Sequence, residues 1–368
     1  MLDKSTGRRI LLCGPARDSV SGVATHLNQL FCSSLAQKYS MQQFQVGSEG
    51  RSEGGASKLF RLVTSPFFFF IKILRYRPDI VHLNSSLEPK AYWRDLTYLI
   101  VAKTLGRRVV YQVHGGALPF TFLGNKSLQQ SFLRWTLNLP DVLVLLAEVE
   151  REAYRAFNAG KCVRVIPNAI DLDEYAAIGR KNYNGDLIRL GYIGRLADDK
   201  GVRESICALA ILRQRGLEHL RLNIAGSGPF ENQLRRIVKD LQLEDIVEFV
   251  GPVFGEDKIR FWQETEIFLF PTFHKEGLPY TVLEAIASGT PVIATRVGGI
   301  PDVIQDGVQG LLLDAHDPEA VATAIETLIN DPDRLRSMSG AAMDRARDHY
   351  GIDRLARQFD EMYQEILA

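Results

Sequence analysis

Residues 276–299 read EGLPYTVLEAIASGTPVIATRVGG. The Gly-Leu-Pro turn at 277–279 opens a helical run. Pro279 suits the first helical position, where its missing N–H costs nothing. The apolar segment 291–295 then makes a short strand that stops before Gly298-Gly299. Turn, helix and buried strand in that order are one step of a parallel α/β repeat. Glu276 falls in the loop before the helix and Glu284 in its second turn. Between them, the N–H groups of Leu278, Tyr280 and Thr281 are expected to stand outside the helix's own hydrogen-bond ladder, and the helix dipole favours an anion there.

The same grammar extends outward. Upstream, strands are predicted at 187–193, 220–225, 246–250 and 267–270, each ended by glycine or proline and followed by helical patterns such as 230–241; a further helical pattern falls at 318–330. Further upstream lie strands at 8–13, 78–83, 107–113, 141–147 and 163–166, with a helical stretch at 21–37 and a glycine- and serine-rich loop, expected to be mobile, at 47–57. The reading is α/β, with two doubly wound parallel sheets of similar size. The expected domains are 1–180 and 186–350. A last helix at 352–368 carries Leu355, Phe359, Met362, Tyr363 and Ile366 on one stripe, which needs apolar surface to cover. Ligands of such sheets bind beyond the carboxyl ends of the strands, and with two domains the default site is the inter-domain cleft.

Composition narrows the function. The 368 residues are 46% apolar and 24% charged, which excludes a disordered or fibrous chain. Net charge is zero, which argues against a nucleic-acid partner. Charge is nevertheless uneven: residues 1–180 hold 23 Lys and Arg against 14 Asp and Glu, and residues 181–368 hold 21 against 30. No apolar run approaches the ~18–20 residues of a membrane span, and the polar start does not read as a signal peptide. The four cysteines are scattered with no CxxC pair, so neither a disulfide scaffold nor a zinc site is expected and a cytoplasmic location is. The run 65–77, SPFFFFIKILRYR, has two readings. One is an aromatic and basic edge for peripheral contact with an anionic membrane. The other is a buried helix ahead of strand 80–83, with Lys72, Arg75 and Arg77 solvated.

Two carboxylates around a phosphate cradle are what a nucleotide-sugar donor requires, and the whole of 276–299 closely resembles the signature of the family 4 retaining glycosyltransferases. Other pieces are similar in order and spacing: Gly194-Arg195-Leu196-Ala197-Asp198-Asp199-Lys200-Gly201, Asn223-Ile224-Ala225-Gly226-Ser227-Gly228-Pro229, Pro167-Asn168-Ala169-Ile170-Asp171, Ser21-Gly22-Val23-Ala24-Thr25-His26 and Val113-His114-Gly115-Gly116. The resemblance implies two facing Rossmann-like domains of the GT-B type, with the donor in the C-terminal domain, the acceptor in the N-terminal one and the last helix crossing back onto the N-terminal domain. It implies transfer from a UDP- or GDP-linked sugar to a saccharide or lipid-linked saccharide, forming an α-glycosidic bond in polysaccharide or glycoconjugate synthesis.

The site expected from these residues has His114, Glu276, Arg195 and Lys200 at the reacting centre. Gly22, Asn168, Gly226, Gly228, Val253, Gly277, Leu278, Pro279, Tyr280, Thr281 and Glu284 would hold the donor. A leaving diphosphate develops negative charge that a metal or fixed cations must stabilise. Arg195 and Lys200 flank the adjacent pair Asp198-Asp199, which reads as loop charge, so no metal and no other cofactor is expected. His82 also stands at a strand end, with less to support a role. A nucleotide-sugar epimerase on the same architecture would need further acid and base groups that nothing marks. A non-catalytic nucleotide-sugar-binding protein is disfavoured by the presence of every charged group. An NAD-dependent oxidoreductase is disfavoured because Gly14 and Gly22 lack the GxGxxG spacing.

Overall fold

The computed structural model describes residues 7–48, 54–123, 127–179, 181, 183, 187–314 and 316–368. They form two compact units, Met1–Ala169 with Ile352–Ala368, and Ile170–Gly351. The chain passes between them at Ala169, earlier than the expected 180. Of the 179–186 stretch, residues 179, 181 and 183 belong to the second unit, and residues 180, 182 and 184–186 lie outside the described residues.

The first unit holds β1 (Arg9–Gly14), β2 (Ser40–Gln45), β3 (Ile80–Leu87), β4 (Arg108–Gly116), β5 (Val142–Leu145) and β6 (Val163–Val165). All pair in parallel, in the order β2-β1-β3-β4-β5-β6. Helices cover both faces, so both sets of alternating side chains are buried and the strands read as continuous apolar runs. Leu11, Val81, Val109 and Leu143 face Phe69, Tyr92, Leu99 and Leu133 on one side. Ile10, Leu12, Ile80 and Val110 face Leu27, Leu30 and the C-terminal helix Ile352–Leu367 on the other. That helix spends its apolar stripe there: Leu355, Ala356, Phe359, Met362 and Tyr363 are all buried in the first unit's core.

The second unit holds β7 (Ile188–Ile193), β8 (Leu220–Ala225), β9 (Val247–Gly251), β10 (Ile267–Phe270), β11 (Val292–Thr295) and β12 (Gly310–Leu313). These are parallel in the order β12-β11-β10-β7-β8-β9. In each sheet the first strand in sequence has later strands on both sides. The switch points are therefore at β1, beside β2 and β3, and at β7, beside β8 and β10. Crevices for ligands open there.

Several expectations need correction. β2 and β12, both at sheet edges, were not predicted. The helix expected over 21–37 breaks into Gly22–Cys32 and Leu35–Lys38. The loop expected at 47–57 gives way to the helix Gly55–Tyr76; residues 49–53 of it lie outside the described residues. That helix contains the run 65–77 except Arg77. Within it Phe69 and Ile73 are buried, while Phe67 and Phe68 are 61% and 55% exposed and Phe70 and Leu74 are exposed too. The segment is thus a core helix, as in the second reading, with part of its aromatic face exposed. Among the described residues no helix is long and apolar enough to cross a membrane.

Candidate functional site

The site in the second unit is built from the loops that leave β7, β8, β10 and β11 at their carboxyl ends. Backbone contacts stitch these loops together. Leu196 N–H donates to Ser227 O at 3.0 Å, and Gly299 N–H to Gly277 O at 2.7 Å. Gly226 and Gly228 are required by this stitching: a Cβ on either would collide with the carbonyls of Gly194 and Leu196. Their position in the fold therefore explains them without a ligand. Gly298, in the left-handed region at φ 54°, plays the same part against the carbonyl of Glu276.

The loop after β7 winds through a short helical turn, Asp198–Lys200, that presents the carbonyl of Asp199 to the loop after β10. Phe273 N–H and His274 N–H donate to that carbonyl at 3.1 and 3.0 Å, and Thr272 Oγ1 lies 3.2 Å from it. β7 and β10 are neighbours in the sheet, so the two loops meet at the switch point. The register they adopt brings Lys200 Nζ to 2.7 Å from Glu276 Oε1. Thr272 Oγ1 is 3.2 Å from the same oxygen. The side chains of Lys200 and Glu276 are only 16% and 12% exposed. The second oxygen of Glu276 has no partner among the described residues, and neither has the exposed guanidinium of Arg195.

Of the pair read as loop charge, Asp199 makes a specific contact. Its carboxylate lies 2.5 Å from His274 Nδ1. Partial burial works against its ionisation, but the hydrogen bond and charge of His274, with Lys200 beside it, outweigh that and hold its pKa below the usual carboxylate range. Among the described residues no three His, Cys, Asp or Glu side chains gather as metal ligands would.

Pro279 caps the helix Tyr280–Ala287 rather than occupying its first position; its φ of −66° and ψ of 127° are extended. Val282 and Leu283 N–H both donate to its carbonyl. Gly277, Leu278 and Pro279 lead into that helix start, and Tyr280 and Thr281 form its first turn. Glu284 follows in the second turn and is buried. Lys258 Nζ donates to its Oε1 at 2.9 Å and Trp262 Nε1 to its Oε2 at 3.2 Å. Burial pushes its pKa up, against the pull of Lys258 and Trp262. The charge of Glu284 in turn helps hold the buried Tyr175 phenol protonated, after burial itself. Val253 is half-buried in the loop after β9.

Sequence reasoning missed Thr272, His274, Lys258, Trp262 and Tyr175. Thr272 and His274 stand directly after a strand end, a place that alone marks them. Lys258 and Trp262 are four apart on the helix Gly255–Glu264 and so share a face.

The other expected residues lie in the first unit. Gly22 opens the helix Gly22–Cys32, which Ser21 caps by accepting from Ala24 N–H at 3.3 Å. Asn168 is buried at the end of that unit. β4 runs on through Gly116, so His114 lies within the strand's carboxyl end rather than after it. Its Nε2 is 2.9 Å from Asn84 Oδ1, and its ring meets His26 edge to face at 4.9 Å. Burial, then the nearby His26 and His82, push its pKa well down, so the ring is neutral at pH 7. His82 is a core residue: Nδ1 meets Tyr363 Oη at 2.7 Å and Nε2 meets Gln112 Oε1 at 3.0 Å.

Comparison with known proteins agrees with this layout. The model of glycosyl transferases group 1 matches residues 177–345, and that of glycosyltransferase family 4 matches residues 28–174. The chain is 31% identical to a GDP-mannose-dependent alpha-(1-6)-phosphatidylinositol monomannoside mannosyltransferase of Mycolicibacterium smegmatis, over 67% of this chain and 66% of that one. It is 33% identical to a D-inositol 3-phosphate glycosyltransferase of Corynebacterium kroppenstedtii, over 48% of this chain. The matches thus span 66% and 40% of the relatives' own lengths. In fold, the Anabaena protein HepE, solved with UDP-glucose, is similar at a TM-score of 0.75 and 16% identity, over 97% of this chain and 99% of that one. With one family model on each half and a Rossmann-like sheet under each, the chain belongs to the group 1, family 4 glycosyltransferases.

Proposed function

We propose that this enzyme is a retaining glycosyltransferase that moves a sugar from a UDP- or GDP-linked donor to a hydroxyl of a saccharide or lipid-linked saccharide, forming an α-glycosidic bond in polysaccharide or glycoconjugate synthesis. The second unit takes the donor and the first the acceptor. The observation that carries the reading is the Lys200–Glu276 pair at the β7–β10 switch point. One oxygen of Glu276 is fixed by Lys200 and Thr272, which leaves the other to accept a sugar hydroxyl. The start of the helix Tyr280–Ala287 receives the diphosphate, Glu284 the ribose, and Val253 lies where the base would rest. As the glycosidic C–O bond breaks, Arg195 and Lys200 stabilise the charge on the departing diphosphate without a metal. The new C–O bond forms on the same face of the sugar, and the acceptor proton passes to the leaving phosphate. Neutral His114 serves as a hydrogen-bonding partner for the sugar at the reacting face.

The exposed face of the helix Gly55–Tyr76 supports contact of the first unit with an anionic membrane on the cytoplasmic side, since Lys72 and Arg75 interleave with uncovered Phe67, Phe68, Phe70 and Leu74. A screen of UDP- and GDP-sugars in excess EDTA, scored for release of the nucleoside diphosphate, tests the central reading. Release from one base class and persistence in EDTA are expected. Release only after magnesium or manganese is added would overturn the metal-free part, and release of epimerised sugar without an acceptor would favour an epimerase.

A further inference from the structure

The first unit has its own switch point, and a cavity of about 550 Å³ opens on it, beyond the carboxyl ends of β1, β2 and β3. Its charge is one-sided. Lys58, Arg61, Lys90 and Arg94 line it, and no described lining residue is acidic. The four cations come from two helices, Gly55–Tyr76 and Pro89–Thr104, and each lies in the first turns of its helix. The positive ends of both helix dipoles therefore add to the side-chain charge. Arg94 is held by a two-point bond to the buried Asp95, at 2.6 and 2.8 Å, and Arg61 donates to Ser48 Oγ at 3.0 Å. Lys58 and Lys90 have no carboxylate partner among the described residues. Asp95 offsets the charge of Arg94, so Lys58 and Lys90 carry the uncommitted charge of the concavity, and an anion there is favoured. Ser85 and Ser86 of β3 also line it.

Asn84 lines this cavity and also holds His114 through its Oδ1. The cationic pocket and the histidine assigned to the reacting face are thus one residue apart. We propose that the cavity binds a phosphate group carried by the acceptor, with the hydroxyl that receives the sugar on the His114 side. This rests on the reading that the first unit takes the acceptor. The phosphate can belong to a soluble polyol or sugar phosphate or to a phospholipid head group; the chemistry recognised is the same.

Calorimetric titration of the full chain with glycerol 3-phosphate, and co-sedimentation with phosphatidylcholine vesicles with and without phosphatidylglycerol, separate the two sources. Each is repeated on K58Q, K90Q and K90R. Losing a charged hydrogen bond weakens binding about tenfold or more, so K58Q and K90Q are expected to lose at least that, and K90R to retain most of it. Binding of glycerol 3-phosphate with this pattern supports a soluble acceptor. Binding only to phosphatidylglycerol vesicles with this pattern supports a lipid one. Binding of neither, or binding that K58Q and K90Q leave unchanged, overturns the proposal. Titration of the unsubstituted chain with UDP and GDP reads the donor site separately, so failure there defeats the UDP- or GDP-linked donor and not this proposal.

Discussion

At the scale of single residues, the account turns on which charges are already spoken for. Lys200 does not wait for a ligand in solvent; it is paired to Glu276, so each holds the other in place. Replacing Arg195 and Lys200 together by alanine is expected to cut turnover by at least about 100–1,000-fold, the cost of one lost oxyanion donor in other enzymes. Measuring kcat and KM apart checks that the loss falls in kcat. Glu284 is different: each of its oxygens already accepts one hydrogen bond within the protein and keeps a second lone pair for a ribose hydroxyl. E284Q is expected to weaken UDP or GDP binding by roughly tenfold to a hundredfold, the worth of a charged hydrogen bond, measured by titration. These partners were the least legible part of the sequence. Lys200 and Glu276 stand 76 residues apart, and Lys258 and Glu284 26 apart, so only the folded loops reveal that they meet. Arg195 could be read because it follows the strand-ending Gly194, and Glu276 and Glu284 because they bracket the Gly-Leu-Pro turn and the helix start.

At the scale of elements, the C-terminal helix Ile352–Leu367 is part of the first unit's core, and its apolar stripe was plain in the sequence at helical spacing. Phe359 is fully buried beside His82. F359A is expected to cost about 3–5 kcal/mol, seen as a large fall in Tm. The same region sets an acid limit. Burial pushes the pKa of His26 down to about 4 and that of His82 to about 3. The unfolded chain binds protons on both below pH 6.5 and the folded chain does not, so stability is full above that pH and is lost as pH falls. At pH 5 each ring is expected to remove about 2 kcal/mol, measured by denaturant unfolding across pH. An H82F variant should flatten the curve; an unchanged slope would show that His82 is not the source. Strands were legible where both faces are covered, as in β1 and β3. β2 (SMQQFQ) escaped because an edge strand that is only half-buried carries no apolar run. β12 (GLLL) escaped too, although β6, shorter and likewise at an edge, was read. The helix Gly55–Tyr76 starts in a glycine-rich stretch that propensity assigns to a loop, and packing of Phe69 and Ile73 overrides it.

At the scale of the whole molecule, the excess of positive charge in residues 1–180 and of negative charge in 181–368 follows the division into two units. If the first unit contacts an anionic membrane through the helix Gly55–Tyr76, co-sedimentation with anionic vesicles should fall as salt rises, because the attraction is screened. Replacing Phe67 and Phe68 by serine should weaken it further; unaltered sedimentation would exclude this face as the contact. The central claim concerns the donor, and one measurement tests it most directly. Release of nucleoside diphosphate from UDP- and GDP-sugars, compared between the unsubstituted enzyme and E276Q, isolates the carboxylate on which the site is built. The account predicts release by the unsubstituted enzyme and a loss of about a hundredfold or more in E276Q, with the fold retained. Equal release by both, or no release from any donor, would contradict it.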